Sequence, residues 1–393
     1  MPPPPPATAR QLVPFGALSV CYFAHIGFFN PYLPLWLQDQ GLSIVVTSLL
    51  LSLQSLTRVF VPYAWGTLSD HTGQRVRLLR YSATAALVAS LGLWWDGGPW
   101  WIALVLLVLF THTGAMMPLT EAAVANLVAG DWGRYGRVRV WGSVGFMVTV
   151  FAAGAWFERS GMSHFPGWTL ASLLAVLACT WWLPDVREQP VHGHAARQPI
   201  APVLRQPAVR WFFASLGLHV MAHYAVYGFL SLYLDALGYS KAMIGLLWAV
   251  SVLVEIAWFS WQGRLLPAFG MARWLWLCGA AMALRMALTA GLPHWVAALF
   301  IAQALHALTF ATHHTACMAV ISRQFAGGLR GRGQALYTVI GYGFGGVAGV
   351  VGGGAVVERW GYATLYFISM MLAALGALCA ARAERLDLHG RAG

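Results

Sequence analysis

The chain has 393 residues, of which 59% are hydrophobic and 9% are charged, and it includes 20 tryptophans. Because so few charged residues cannot cover the surface of a water-soluble protein of this length, the composition indicates an integral membrane protein. The formal net charge of +11 would suit a nucleic-acid ligand, but the placement of the basic residues reports membrane topology instead. We therefore expect the lipid bilayer, and no nucleic acid, as a partner.

Twelve apolar segments of about 18 to 25 residues follow one another, and each is long enough to cross a hydrocarbon core of about 30 Å as a helix. In chain order they occupy residues 12–37, 44–66, 78–95, 100–128, 138–157, 168–183, 209–234, 242–262, 272–292, 295–321, 333–357 and 362–381. The start, residues 1–11, lacks the order of a cleavable signal peptide and is predicted to be disordered polyproline. The fold class predicted is thus an all-α integral membrane protein with twelve transmembrane helices.

The basic residues are distributed unevenly between the loops. Of the 24 Lys and Arg residues, Arg58 and Arg285 lie deep within predicted spans, and three, Arg159, Lys241 and Arg359, lie in one set of alternate loops. The remaining 19 lie in the other set of loops, at the span ends that adjoin those loops, or at the two termini. Because positive residues accumulate on the cytoplasmic side of a membrane, both termini are predicted to be cytoplasmic.

The five cysteines all lie within predicted spans and show no metal-ligand spacing. They are Cys21, Cys179, Cys278, Cys317 and Cys379. We therefore expect neither a disulfide framework nor a structural zinc site.

The two halves of the chain repeat at a nearly constant offset. LWLQDQGLS from residue 35 corresponds to LYLDALGYS from residue 232, a shift of 197 residues, and ERSG from residue 158 recurs as ERWG from residue 358. Such matches indicate duplication of a six-helix unit, an architecture typical of transporters. With a Pro-, His- and Arg-rich segment between the halves, the predicted organisation is two six-helix bundles at 12–184 and 208–382, a cytoplasmic linker at 185–207 and a cytoplasmic tail at 383–393.

The loop after the second predicted helix, GTLSDHTGQRVR, resembles a cytoplasmic motif of the major facilitator superfamily. The matching residues are Gly66, Leu68, Asp70, Gly73 and Arg75. The resemblance implies the major facilitator fold. It also implies that Asp70, with Gly66, Gly73 and Arg75, belongs to a conformational latch that opens and closes during alternating access.

Four further segments narrow the resemblance: PLTEAAVAN, YGRVRVWGSVGF, HYAVYGFLSLYLDALGYS and LHALTFATHH. They resemble the 3-phenylpropionate permease branch of that superfamily, and the likeness covers nearly the whole chain apart from the start and the linker. It implies a secondary active transporter in a bacterial inner membrane, driven by the proton gradient and needing no other cofactor. We expect it to function as a monomer.

Four charged residues lie deep within predicted spans: Arg58, Glu121, Glu255 and Arg285. Each charge at the bilayer centre costs about 2.5 to 3.5 kcal/mol on insertion scales, so such groups usually face the bundle interior and serve function. One interpretation is a set of static ion pairs that fix helix packing. Our hypothesis is competitive: an ionised Glu121 or Glu255 occupies an arginine, and protonating that glutamate frees the arginine for a substrate carboxylate, so one proton enters with one anion.

Histidines add further polar groups to the spans. His219 and His223 have the i, i+4 spacing that two ligands of one metal ion need, whereas His306 and His313 lie about 10 Å apart along a helix. A metal site would therefore need ligands from several helices, and metal transport is the disfavoured alternative. The family resemblance favours substrate binding or proton relay for His223, His306 and His314.

The predicted function is proton-coupled uptake of a small aromatic carboxylate by alternating access. Tyr227, one turn after His223, is the aromatic residue expected in the substrate pocket, although membrane helices are generally rich in aromatic residues. Efflux of amphipathic compounds, or transport of another small solute such as a nucleoside or sugar, is the alternative within transport. A membrane sensor or a membrane-embedded enzyme is more distant, and the enzyme is disfavoured because the short loops carry no paired carboxylates, nucleophile elbow or HExxH motif.

Overall fold

The structure is a computed structural model, and it describes residues 9–128, 132–184, 199–266 and 270–389. These ranges are mostly helical and contain no β-strand. In a bilayer there is no water to satisfy backbone N–H and C=O groups, so long apolar segments must pair these groups within helices. The predicted polyproline start and the predicted linker lie largely outside the described residues.

Twelve long helices follow one another in the described chain, which confirms the predicted all-α fold class. Their bounds are α1 Ala9–Asp39, α2 Ile44–Thr72, α3 Arg75–Ser90, α4 Gly98–Val128, α5 Trp132–Ser160, α6 Phe165–Trp182, α7 Pro207–Ala236, α8 Lys241–Leu265, α9 Met271–Gly291, α10 Val296–Gln324, α11 330–360 and α12 362–389. One short helix, Ala201–Arg205, precedes α7.

The last two helices, α11 and α12, form one run of helical residues with a break in it. The apolar run Arg330–Asp387 would measure about 87 Å as a straight helix, almost three times a hydrocarbon core of about 30 Å. Gly361 has a φ of 80°, in the left-handed region that glycine adopts at low cost. The break at this glycine separates two spans, so the twelve predicted transmembrane helices are confirmed.

The chain divides into two compact units. The first contains Met1–Leu42, Thr57–His192 and Ser240–Ala249, and the second contains Ser43–Leu56, Gly193–Tyr239 and Val250–Gly393. The beginning of α2 thus belongs to the second unit, and the beginning of α8 belongs to the first. The repeat in the sequence does not reveal this exchange of helix ends.

In the first unit, α1 packs closely against α5. A Cβ atom on Gly27 would lie 2.7 Å from the carbonyl oxygen of Phe146, and one on Gly145 would overlap the carbonyl of Val20. Small residues let the two backbones touch, which is how helices associate where lipid offers no hydrophobic driving force between them.

In the second unit, α7 packs against α11 and α12. A Cβ atom on Gly349 would lie 2.7 Å from the carbonyl oxygen of Met221, and the buried hydroxyl of Tyr366 donates to the carbonyl of Ala225 at 3.0 Å. These contacts hold α7 against α11 and α12, and polar side chains of α7, α9 and α10 meet in the site described below.

Two helices of the second unit contain a wider π-helical turn. These turns are Ala307–Thr312 in α10 and Thr338–Gly345 in α11. A π turn bonds each N–H to the carbonyl five residues back, which changes the direction of the side chains around it, and such turns are frequent at functional sites. The first turn lies inside the stretch LHALTFATHH, at the centre of the candidate site.

Candidate substrate-binding site

Arg285, on α9, is the central residue of the candidate site. Its side chain is 1% exposed, and Nη1 lies 3.1 Å from Oγ1 of Thr309 and 3.3 Å from both Nε2 of His223 and Nδ1 of His306. Nη2 donates to Oε1 of Gln303 at 2.9 Å. All four partners are neutral acceptors, and no carboxylate in the described part of the chain pairs directly with this buried cation.

The hydrogen bonds of Arg285 determine which nitrogen carries the proton on each histidine. A guanidinium only donates hydrogen bonds, so Nε2 of His223 and Nδ1 of His306 can act only as acceptors here, and they share the two hydrogens of Nη1 with Thr309. A neutral His306 therefore carries its proton on Nε2, which lies 3.3 Å from Oε2 of Glu255 and donates to it. Glu255, His306 and Arg285 form a relay in which the carboxylate is one residue away from the cation.

The relay has an open end and a closed end. The side chain of Glu255 is 21% exposed, whereas that of His306 is 6% exposed. The sequence-based hypothesis placed Glu255 directly on an arginine, and this detail is wrong: the imidazole of His306 stands between them. The relay joins α8, α10 and α9, whose rotation about their axes cannot be read from the sequence.

Two unpartnered donors lie at the closed end. Among the described residues, Nε of Arg285 and Nε2 of Gln303 are buried without a hydrogen-bond partner. Gln303 is 1% exposed. Buried donors without acceptors are costly, so the guanidinium and the amide retain capacity for an additional acceptor. Sequence reasoning did not identify Gln303 or Thr309, because an uncharged polar residue in a span has no distinctive pattern.

His219 and His313 have a structural role in the second unit. Nε2 of His219 lies 2.8 Å from the carbonyl oxygen of Thr309 in the π turn, and the rings of His219 and His313 are stacked with centroids 3.6 Å apart. The described residues contain no group of three or more His, Cys, Asp or Glu side chains that could hold a metal ion. Of the i, i+4 pair, His219 thus contacts the π turn, and His223 contacts Arg285.

Aromatic rings flank the relay, and they include the predicted Tyr227. The ring of Tyr227 stacks on that of His223 with centroids 4.5 Å apart and planes 9° apart. Phe310, which sequence reasoning missed, stacks on His306 at 5.1 Å and on His314 at 6.4 Å. The i, i+4, i+8 spacing of these three α10 residues is the signal that could have identified Phe310.

Comparison with known proteins places the chain in a family. The family model described as "MFS_1 like family" matches residues 17–368. The chain belongs to the MFS_1-like family. The MFS_1-like chain is 27% identical over 336 residues to the "Probable 3-phenylpropionic acid transporter" of Escherichia coli (strain K12), covering 82% of this chain and 85% of that protein. It is 26% identical over 380 residues to the maltose permease of Geobacillus stearothermophilus, covering 95% and 94%.

Solved structures confirm the fold of this MFS_1-like chain. A crystal structure of a mutant of the nucleoside transporter NupG superposes with a TM-score of 0.84 at 16% identity, covering 95% of this chain and 99% of that one. An auto-inhibited peptide transporter of the POT family gives a TM-score of 0.75 at 12% identity, covering 96% and 97%. The MFS_1-like protein has the major facilitator fold, and it is a multi-pass membrane transporter rather than an enzyme.

Two predicted site residues of the MFS_1-like protein, Arg58 and Glu121, lie in the first unit. Glu121 pairs with Nε of Arg139 at 3.3 Å, and both side chains are about two-fifths exposed. Tyr22 lies within electrostatic range of Arg58, Glu121 and Arg139 and donates its hydroxyl hydrogen to a backbone carbonyl. Glu121 thus pairs with Arg139, near the start of α5, an arginine that the sequence-based hypothesis did not consider as its partner.

The predicted latch residues lie at the end of α2 and the start of α3. Nη2 of Arg75 donates to Oδ1 of Asp70 at 3.0 Å, and Asp70 is 54% exposed. Gly73 has a φ of 62°, which lets the chain turn sharply between the two helices. Gly66 lies in α2 with open space where a Cβ would stand. The loop pair is formed, and the latch role of these four residues stays a prediction.

Proposed function

We propose that this transporter takes up a small aromatic carboxylate together with a proton. The observation that carries the proposal is Arg285: a cation that is 1% exposed within a membrane span and bonded to neutral acceptors. A buried charge without a counterion is expensive, and intramembrane charges commonly mark a ligand site. A planar guanidinium also matches the two oxygens of a carboxylate.

The relay supplies a reason for proton coupling. With Glu255 ionised and His306 neutral, the cluster of Glu255, His306 and Arg285 has no net charge. One added proton on the Glu255–His306 pair makes the cluster positive, and when that proton lies on Nδ1 of His306, the imidazolium can no longer accept from Arg285. The protonated cluster therefore attracts one anion, and the loaded and empty carriers have the same charge.

The rings beside the relay suit an aromatic body. Tyr227 and Phe310 lie one contact away from the cationic end, through His223 and His306. Stacked rings contribute about 0.5 to 1.5 kcal/mol each beyond the burial of apolar area. We place the carboxylate at His306 and Arg285 and the aromatic ring against Phe310.

The orientation is proposed from the charge asymmetry of the loops. The side that carries 19 of the 24 basic residues faces the cytoplasm, with both termini, in a bacterial inner membrane. The carrier works as a monomer and needs no cofactor besides the proton gradient.

The test is uptake of 3-phenylpropionate into proteoliposomes. An imposed pH gradient should drive accumulation, and a potassium diffusion potential without a pH gradient should not, because the transported complex of one proton and one monoanion is neutral. Glu255→Gln should abolish accumulation driven by the pH gradient and retain part of the counterflow. The matched control is Glu121→Gln, whose carboxylate has a half-exposed arginine partner and should not be the coupling group.

Two results would overturn the proposal. One is pH-driven uptake by Glu255→Gln at the wild-type level, and the other is uptake driven by membrane potential alone. Net movement of the substrate out of the liposomes with inward proton flux would instead favour the efflux alternative.

A second candidate is transport of a neutral polar solute. Similarity to a maltose permease over nearly the whole chain favours it. A thermal-shift screen of the purified protein against aromatic acids, nucleosides and sugars separates the two candidates, because Arg285 should give the acids the larger shift. Ligand-induced stabilisation without any flux would point to a sensor.

A further inference from the structure

The candidate site has a second polar end, on α10. Three nearly parallel rings, His306, Phe310 and His314, form what we call the ring ladder. Successive centroids are 5.1 and 6.4 Å apart, and successive planes differ by 4° and 19°. One end of the ladder, His306, contacts Arg285 and Glu255, and the other end, His314, has an uncharged hydrogen-bond partner, Tyr337.

The partners of His314 leave one of its nitrogens open. Nδ1 lies 2.9 Å from the hydroxyl of Tyr337, and that hydroxyl lies 3.3 Å from the hydroxyl of Tyr342. In the described part of the chain, Nε2 of the partly buried His314 makes no hydrogen bond. The second polar end is therefore a histidine with a tyrosine on one nitrogen and no hydrogen-bond partner on the other among the described residues.

The tyrosine makes the open nitrogen either a donor or an acceptor. If Tyr337 donates to Nδ1, a neutral His314 carries its proton on Nε2 and can donate it to a ligand. If Nδ1–H donates to Tyr337, that tyrosine can donate to Tyr342, and Nε2 becomes an acceptor. A hydroxyl group can act as both donor and acceptor, so it fits this nitrogen in either state, whereas a carboxylate fits only the first.

A neighbouring residue on α8 adds an independent observation. Trp258 lies between Glu255 and Gln262 at spacings of three and four residues, so these three share a helix face. Glu255 contacts His306, and Gln262 accepts from Thr315, beside His314. Trp258 lies on α8 between the residues that make these two contacts, Glu255 and Gln262. Its buried indole N–H has no acceptor among the described residues.

We infer that the transported acid carries a hydroxyl at the far end of its aromatic ring, and that His314, positioned by Tyr337, selects it. The inference rests on the proposed function, because it places the carboxylate at Arg285 and His306. The two centroid steps from His306 to His314, 5.1 and 6.4 Å, together cover at most about 11.5 Å. An acid such as 3-(4-hydroxyphenyl)propionate measures about 8 Å from carboxylate carbon to hydroxyl oxygen, or about 14 Å with a hydrogen bond at each end.

The test compares the affinities of three acids for the purified protein by titration calorimetry. The 4-hydroxy acid should bind about tenfold more tightly than 3-phenylpropionate, the effect of one well-placed hydrogen bond. The isomer 3-(2-hydroxyphenyl)propionate has its hydroxyl near the carboxylate and should show no such advantage. Equal affinity for the 4-hydroxy and unsubstituted acids would overturn the inference and leave the proposed function standing.

Two variants locate the selecting group. His314→Phe keeps a ring in the ladder but removes both nitrogens, and it should bring the ratio of the two affinities close to one. Tyr337→Phe should lower the ratio several-fold. The matched control is Tyr239→Phe, because the wild-type hydroxyl of Tyr239 donates to the carbonyl of Pro293 at 2.8 Å; this variant should keep the wild-type ratio. An unchanged ratio in His314→Phe would refute the assignment, and failure of all three acids to bind the wild type would refute the proposed function as well.

Discussion

Gln303→Glu converts the neutral partner of Arg285 into an internal competitor for the substrate. Oε1 of Gln303 already lies 2.9 Å from Nη2, so a carboxylate at this position would pair with the guanidinium without moving the helices. At about 4 Å between charge centres and an effective dielectric constant of about 20, such a pair is worth about 4 kcal/mol. A substrate carboxylate would lose attraction of the same order.

The expected result is a Kd for 3-phenylpropionate that rises at least tenfold, since each 1.4 kcal/mol of lost attraction corresponds to a factor of ten. Titration calorimetry on the purified variant measures it. The melting temperature without ligand should not fall, because the new carboxylate gives a buried cation the counterion that it lacks. A neutral ligand would be affected far less, so the variant also discriminates between acids and sugars as substrates.

The control variant is Gln303→Met, which removes the acceptor without adding a charge and should change the Kd much less than Gln303→Glu does. A folded Gln303→Glu protein that binds 3-phenylpropionate with the wild-type Kd would refute the reasoning. In that case Arg285 would be a structural cation, and the substrate carboxylate would have to bind elsewhere.

Three further predictions concern the first unit. Gly154→Ala would push a methyl group into the backbone carbonyl of Lys241 at the start of α8. The variant should lose about 1 to 3 kcal/mol of stability, measured as a lower melting temperature. Gly167→Ala is the control and should keep the wild-type melting temperature, because the space around Gly167 is open. The sulfur atoms of Cys21 and Cys179 are 3.6 Å apart, so mild oxidation should cross-link α1 to α6, and mass spectrometry that finds both thiols free would contradict this packing. Asp70→Asn should change the free energy of unfolding by less than about 1 kcal/mol, because the Asp70 carboxylate is 54% exposed, yet it should slow transport; wild-type flux would argue against a latch.

Much of the architecture could be predicted from the residues. Continuous apolar segments in lipid have to be helical, so the twelve spans follow from length and hydropathy alone. The charged and imidazole side chains within them stand out because each is costly in a bilayer. For this reason Arg285, Glu255, His223 and His306 were identifiable as one group of interest before their positions in space were known.

The partners of those side chains could not be predicted. The sequence placed Glu255 on an arginine, but the rotation of α8, α9 and α10 inserts His306 between them. Likewise, Glu121 pairs with Arg139 because of how α4 and α5 meet. Electrostatic reasoning identifies charges that need partners, but many partners on neighbouring helices satisfy the same need.

The sequence by itself determined the class of protein, the number of spans and the polar residues whose transfer into a bilayer costs free energy. These follow from the transfer of side chains and backbone from water to lipid, which depends on composition and not on neighbours. Only the tertiary structure decided that neutral side chains surround Arg285, that a π turn brings Thr309 to it, and that Phe310 and His314 continue the row of rings from His306. Those features depend on how each helix is rotated about its axis and on where the π turn lies in α10. Packing differences of a few kcal/mol select the rotation and the position of the turn, and a hydropathy pattern contains no information on either.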